Sequence, residues 1–473
     1  MESFLTEYFR CAASSVDFQV MSGLSEDAGY FRFGPEIVCY GRSAAGYRSR
    51  RPDGPLYDVS ADVREHGSAV QLPFDPSEVV TNFHYERYAI GGAIGRTVAA
   101  KLIRDTYYLV RPLLSLRMRK HLQRIFLKGW RSLAFPRWPV DTTVDSLMEK
   151  LMALSVKQRE DAKVPFIWFW PEGKNGCAIV THDVETRRGV DLSARLMDMD
   201  ESFVIPASFQ VVPEERYPVS EAYLDSIRRR GFEVNVQDLN HDGRLYRNRC
   251  EFEWRVAKIN QYGKHYGAAG FRSAVLYRNQ EWFDLLDFDY DTSVPNVAHL
   301  DPQRGGCCTV MPHFIGKLVE LPVTTTQDYS LFHILNDCSL QLWEQQIELI
   351  LRKHGMINAI THPDYIIGPR EEKIYAGLLA MLDRARQERN VWIALPRDVS
   401  KWWRQRSQMQ LVQREGEWCA EGPGSERAVV AYASLEGEVL TYSKACPRAF
   451  LKLDPPQSTR SCEHVAVHHC ELQ

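Results

Sequence analysis

The sequence predicts an α/β protein built around a parallel barrel, and three observations carry that prediction. From about residue 162 to residue 406, short apolar runs alternate with amphipathic stretches, the strand–helix rhythm of a parallel sheet. Seven or eight such units follow one another, which suits a closed barrel. No glycine-rich phosphate loop follows any of the strands, as an open dinucleotide-binding sheet would require.

The expected strands are 177–181, 207–212, 232–236, 268–271, 288–290, 318–323, 358–360 and 392–395. Amphipathic helices are expected between them at 220–230, 251–262, 339–354 and 371–389, with Gly355 stopping the third. Residues 1–155 read as an accessory region, with short strands at 31–41 and 69–73 and a basic helical block at 99–130. The barrel spans 160–407. Period-two alternation at 428–434 and 438–442 marks a small β-rich appendage over 408–451. The tail 452–473 reads as disordered, and its cysteines and histidines match no structural zinc spacing.

Composition narrows the function classes. A chain of 473 residues, 44% hydrophobic and 25% charged, has enough apolar content for a large core. A formal net charge of -3 gives no reason to expect nucleic acid. The first residues lack the basic and apolar regions of a secretory signal, and no stretch is long enough to span a bilayer. Eleven scattered cysteines suit reduced thiols, so a cytoplasmic protein is expected. In the basic block, residues 111–131 could lie on a membrane surface. The preferred reading is an ordinary helix packed on the barrel with a solvated basic face, membrane contact being the weaker alternative.

Polar groups collect where the strands end. The first strand delivers His182, Asp183 and Glu185; the third delivers Gln237, Asp238, His241 and Asp242. Later strand ends bring Arg272, then Tyr290 and Asp291, then His362. In parallel barrels this rim is where function sits. Carboxylates with imidazoles can hold a divalent metal, take a proton from water and protonate a leaving group. An arginine can fix a carboxylate's orientation and charge. No Gly-x-Ser-x-Gly elbow offers a nucleophile instead. The loop 295–317, with Arg304 and the Cys307-Cys308 pair, is long enough to overhang the rim as a lid or substrate wall. Tyr277, Trp282, Tyr290 and Tyr329 could stack on sugar rings or belong to the core.

In these residues the chain resembles the polysaccharide deacetylases of carbohydrate esterase family four, whose NodB-homology fold is a distorted (β/α)7 barrel. The resemblance covers residues 165–396. Thr181-His-Asp-Val-Glu185 resembles the family's first motif, which makes Asp183 the general base. Gln237-Asp-Leu-Asn-His241 resembles its metal motif, and Gly270-Phe-Arg-Ser its arginine motif, with Arg272 bracing the base. Tyr290-Asp291 resembles the groove-wall motif, whose acid supports the last histidine. Thr361-His-Pro363 resembles the motif of the general acid, giving His362 that role.

Two departures accompany the match: Val184 stands where the family has a metal-binding aspartate, and Gln237 where it has a histidine. The resemblance therefore implies a divalent metal, zinc or else cobalt, nickel or manganese, on Glu185, His241 and Gln237. His182, Tyr290 and Arg304 are expected to touch substrate. The implied activity is metal-dependent removal of N-acetyl groups from an amino-sugar glycan or its precursor. Two alternatives stand beside it: a catalytically silent barrel that binds carbohydrate as a scaffold, and a metal-independent cyclic amidase. Oligomeric state is left open.

Overall fold

The computed structural model describes residues 4–445, apart from 13–17, 45–48, 67–68, 92–117, 119–121, 123, 160–161 and 367. Most of the basic block at 99–130 and all of the tail 452–473 lie outside the described residues.

Gly176–Val184 (β1) is buried at every position, as a parallel strand covered on both faces must be. It is followed by Ala207–Val211 (β2), Glu233–Gln237 (β3), Gly270–Arg272 (β4), Tyr290–Asp291 (β5), Leu318–Glu320 (β6) and Met356–Thr361 (β7). These seven run parallel in the spatial order β6-β5-β4-β3-β2-β1-β7. The chain thus winds once round, and the seventh strand returns beside the first. Val391–Ile393 (β8) pairs with the first half of β1, and the antiparallel strand His313–Ile315 borders β6.

Side chains close the seam between β6 and β7. Thr324 Oγ1 donates to the Met356 carbonyl and accepts the Asn358 N–H, each at 2.8 Å. Asn358 Nδ2 reaches Thr292 Oγ1 at 2.8 Å and the Leu321 carbonyl at 3.0 Å. The result is the distorted seven-stranded barrel that the sequence predicts.

Arg187–Ser202 (α1), Glu221–Arg229 (α2), Arg249–Tyr266 (α3), Gln341–Arg352 (α4), Pro369–Arg389 (α5) and Pro396–Gln408 (α6) pack around it. Local chemistry sets their ends. Thr186, Ser220 and Asn248 each accept a backbone N–H from the first turn of α1, α2 and α3. Helix α3 stops at Gly267, whose φ of 57° is left-handed. Phe209 and Val211 of β2 pack with Leu224, Phe252, Ile350 and Leu378 of the helices in one core.

A second core joins the accessory region and the appendage to the base of the barrel. It brings Phe31, Phe83 and Leu147 together with Ile179, Met356 and Ala431. The strands expected near 31–41 and 69–73 are the hairpin Gly29–Arg32 with Val38–Gly41, and the strand Ala69–Leu72. The appendage contains two hairpins, Gln410–Arg414 with Glu417–Glu421 and Val430–Glu436 with Val439–Lys444. The second is extended by Lys163–Ile167, which enters the barrel from the other side of the sequence.

Part of the loop 295–317 is bonded to the loops that follow β4 and β6, through Gln303 to Arg278 and Asp301 to Gln327, and part of it turns to the accessory region. Asp145 draws the latter part inward by accepting Thr309 Oγ1 at 2.7 Å and the Val310 N–H at 3.1 Å. Asn296 likewise exchanges hydrogen bonds with the Asp141 backbone. The eight described cysteines are free, with Cys307 and Cys308 both buried. Among the described residues no helix is long and apolar enough to cross a membrane.

Candidate active site

Successive side chains on a strand face opposite ways, so Thr181 and Asp183 share one face of β1 and His182 takes the other. Asp183 looks into the barrel and is 4% exposed. Its Oδ1 accepts Arg272 Nη1 at 2.9 Å, and its Oδ2 accepts Gln237 Nε2 at 3.1 Å. Arg272 is itself held by Thr292, whose carbonyl and hydroxyl accept Nε and Nη2 at 3.1 Å each. Burial raises the pKa of Asp183, and the charges of Arg272 and His362 work against that rise.

Glu185 lies at the centre of the cluster. Gln237 Nε2 also donates to its Oε1 at 3.3 Å, so one amide bridges two carboxylates. His241 Nε2 lies 2.8 Å from the same oxygen, off the line of a ring N–H bond, and His362 Nε2 lies at 3.5 Å. Burial acts to raise the pKa of Glu185, but the two imidazoles outweigh it and hold the group well below the usual carboxylate range. Gln237 and His241 can both reach Glu185 because the chain after β3 turns through two left-handed residues, Asp238 at φ 53° and His241 at φ 55°.

His362 follows β7. Asp328 Oδ1 lies 2.6 Å from its Nδ1, and Asp328 Oδ2 accepts its backbone N–H at 2.7 Å. Burial would depress the imidazole's pKa, yet Asp328 and Glu185 raise it well above its ordinary value. With Nδ1 engaged by Asp328, Nε2 is the ring nitrogen that faces Glu185 in the mouth. Asp328 was not among the residues singled out from the sequence. The signal for it was present: it lies just past the sixth strand run, at a strand exit like the others.

Three expected site residues, Asp291, His182 and Tyr290, lie elsewhere. Asp291 does not support His362: its side chain accepts the Ser293 N–H at 2.7 Å and Ser293 Oγ at 2.9 Å. It also faces Glu320, and burial pushes the pKa of both carboxyls up. His182 points away from the mouth, its ring nitrogens 2.8 Å from Thr361 Oγ1 and Asp200 Oδ2. Tyr290 fills the barrel interior, donating to Glu233 at 2.9 Å, and burial pushes that carboxyl up to about 7. Arg304 sits in the loop after β5 beside Asp301 and His299.

The donors fit a divalent cation in kind. Asp183, Glu185 and His362 each offer a ligand atom within 4.8 Å of the others. Gln237 Oε1 and both His241 ring nitrogens are buried with no hydrogen-bond partner, although an orphaned acceptor of that kind is costly. An amide flip would turn Gln237 Oε1 toward the two carboxylates, an arrangement that a cation between them would stabilise.

No family model and no curated protein matches the chain. Solved structures do. A protein described as a polysaccharide deacetylase from Mycobacterium smegmatis matches at 18% identity and a TM-score of 0.41, covering 50% of this chain and 93% of its own. The chain is similar to polysaccharide deacetylases and family 4 carbohydrate esterases. Puue allantoinase matches at 13% identity and 0.39, covering 50% and 92%. A family 4 acetyl xylan esterase from Clostridium thermocellum, solved with a cobalt ion, matches at 15% and 0.29, covering 48% and 91%. At these TM-scores the likeness carries no functional argument, and the chemistry has to come from the residues.

Proposed function

We propose that this chain is a hydrolase that removes N-acetyl groups from an amino-sugar glycan or glycan precursor. One observation carries the reading: an arginine-braced carboxylate and a carboxylate-braced imidazole both face Glu185 in a single mouth. Asp183 takes a proton from the attacking water as its oxygen adds to the acetyl carbonyl. His362 gives its Nε2 proton to the amine as the C–N bond breaks, leaving acetate. Arg272 keeps Asp183 ionised and aimed, and Asp328 does the same for the proton on His362.

A divalent ion would be held by Glu185 and His241, with Gln237 Oε1 after a flip, and would supply Lewis acidity toward the carbonyl and the water. The free cysteines support placement in a reducing compartment, the cytoplasm.

The test is acetate release by the full chain from acetylated chitooligosaccharides and sugar-nucleotide precursors, with Asp183→Asn and His362→Ala as controls. Release that depends on both residues supports the reading; no release from any acetylated carbohydrate sinks it.

The bridging amide favours a second reading. Gln237 Nε2 already links Asp183 and Glu185, as a cation otherwise would. A barrel so arranged could open a cyclic amide without metal, or bind carbohydrate only. Metal content of the purified protein, with and without Glu185→Ala, separates the metal-dependent reading from both of these, and turnover of a cyclic amide separates the two from each other.

A further inference from the structure

Residues 106–140 contain eight lysines and arginines and no aspartate or glutamate. Within that stretch Leu122 and residues 124–126 are helical. At helical spacing Leu122, Ile125 and Phe126 share one face, and they are 39%, 56% and 54% exposed. Elsewhere, exposed large apolar residues such as Val204 and Trp254 are scattered singly, which needs no explanation; here they form a group.

The other face is docked. Leu127 is buried, and Arg124 Nε donates to the His333 carbonyl at 2.9 Å. The His333 ring meets Tyr365 edge-on at 5.3 Å, and Tyr365 lies 4.8 Å from His362. The apolar face, exposed among the described residues, therefore sits on an element tied to the rim of the catalytic mouth. Exposed Lys128 and Arg131 follow it in the chain.

We propose that this face docks on an anionic lipid surface. Leu122, Ile125 and Phe126 enter the headgroup boundary, and Lys128 and Arg131 meet lipid phosphates. Charge selects this occupant. A second copy of the chain would bring like charges together, with no acid in the stretch to answer them. Docking would hold the mouth beside the bilayer, whatever reaction the mouth performs.

The experiment is flotation of the full chain with vesicles of phosphatidylcholine alone or mixed with phosphatidylglycerol. Binding to the anionic vesicles, weakened by salt, is expected. Ile125→Glu with Phe126→Glu, and separately Lys128→Gln with Arg131→Gln, should each weaken partitioning on the order of tenfold or more. Both pairs are exposed, so melting temperature and acetate release in solution should not change. Absent binding overturns the proposal, as does equal binding to neutral vesicles or binding untouched by either pair. A dimer that the Glu variants break, in place of vesicle binding, also overturns it.

Discussion

The proposed reaction needs Asp183 ionised and His362 protonated, and burial opposes both states. The neighbours decide the outcome. Activity should fall on the acid side as Asp183, its pKa raised, takes a proton. It should fall on the alkaline side as His362, its pKa raised further, loses one. Asp328→Asn removes the charge that holds the imidazolium, so the alkaline limb of kcat/KM should move to lower pH while the acid limb stays. A profile that drops in height without that shift would assign Asp328 a merely structural role. Asp183→Asn should cost about 10²- to 10⁴-fold in rate at every pH. Gln237→His replaces the bridging amide with an imidazole, so cobalt or zinc should bind more tightly by direct titration; unchanged affinity would remove Gln237 from the cation site.

Asp183, Arg272 and His362 were legible in the sequence because each ends a strand run. His182 was misread because the alternation of a strand was not applied within that run: the residue beside Asp183 must face the other way. Tyr290 is buried too, but its hydroxyl is bonded to Glu233, at the opposite end of β3 from Gln237.

Among the elements, all seven parallel strands were visible in the sequence, because a strand buried on both faces reads as an apolar run between polar ends. The seam was not visible, since it consists of side-chain bonds between Thr292, Thr324 and Asn358 with no pattern of their own. Asn358 joins β7 to the β6 side through Leu321 and steadies Thr292, which in turn holds Arg272. Asn358→Ala should destabilise the fold by about 1–3 kcal/mol, the usual penalty for orphaned buried groups. It should also lower kcat more than it raises KM, because the loss reaches Asp183 through Arg272. Chemical denaturation together with steady-state kinetics checks both. A stability loss with unchanged kcat would confine Asn358 to the seam.

At the scale of the molecule, the accessory region is an integral part of the barrel. Glu86 is buried and accepts Arg278 Nε at 2.6 Å and Gln280 Nε2 at 2.7 Å, so an N-terminal carboxylate neutralises a cation of the barrel's own loop. Asp145 does comparable work on the loop 295–317, and the apolar core is shared across the junction. None of this was readable in advance, because the partners are 164 to 194 residues apart and neither segment announces the other. Removing one member of a buried ion pair leaves an uncompensated charge, which costs about 3–5 kcal/mol. Glu86→Ala should therefore destabilise the whole chain by about that amount, in one transition seen alike by far-ultraviolet circular dichroism and tryptophan fluorescence. Glu86→Gln, which keeps an acceptor but loses the charge, should fall between. If the accessory region instead melted first, with acetate release surviving its loss, the barrel would be an independent unit and the ion pair a local contact. The shared core argues against that outcome: without residues 1–155 the base of β1, β6 and β7 would expose Ile179, Val319 and Met356 to water.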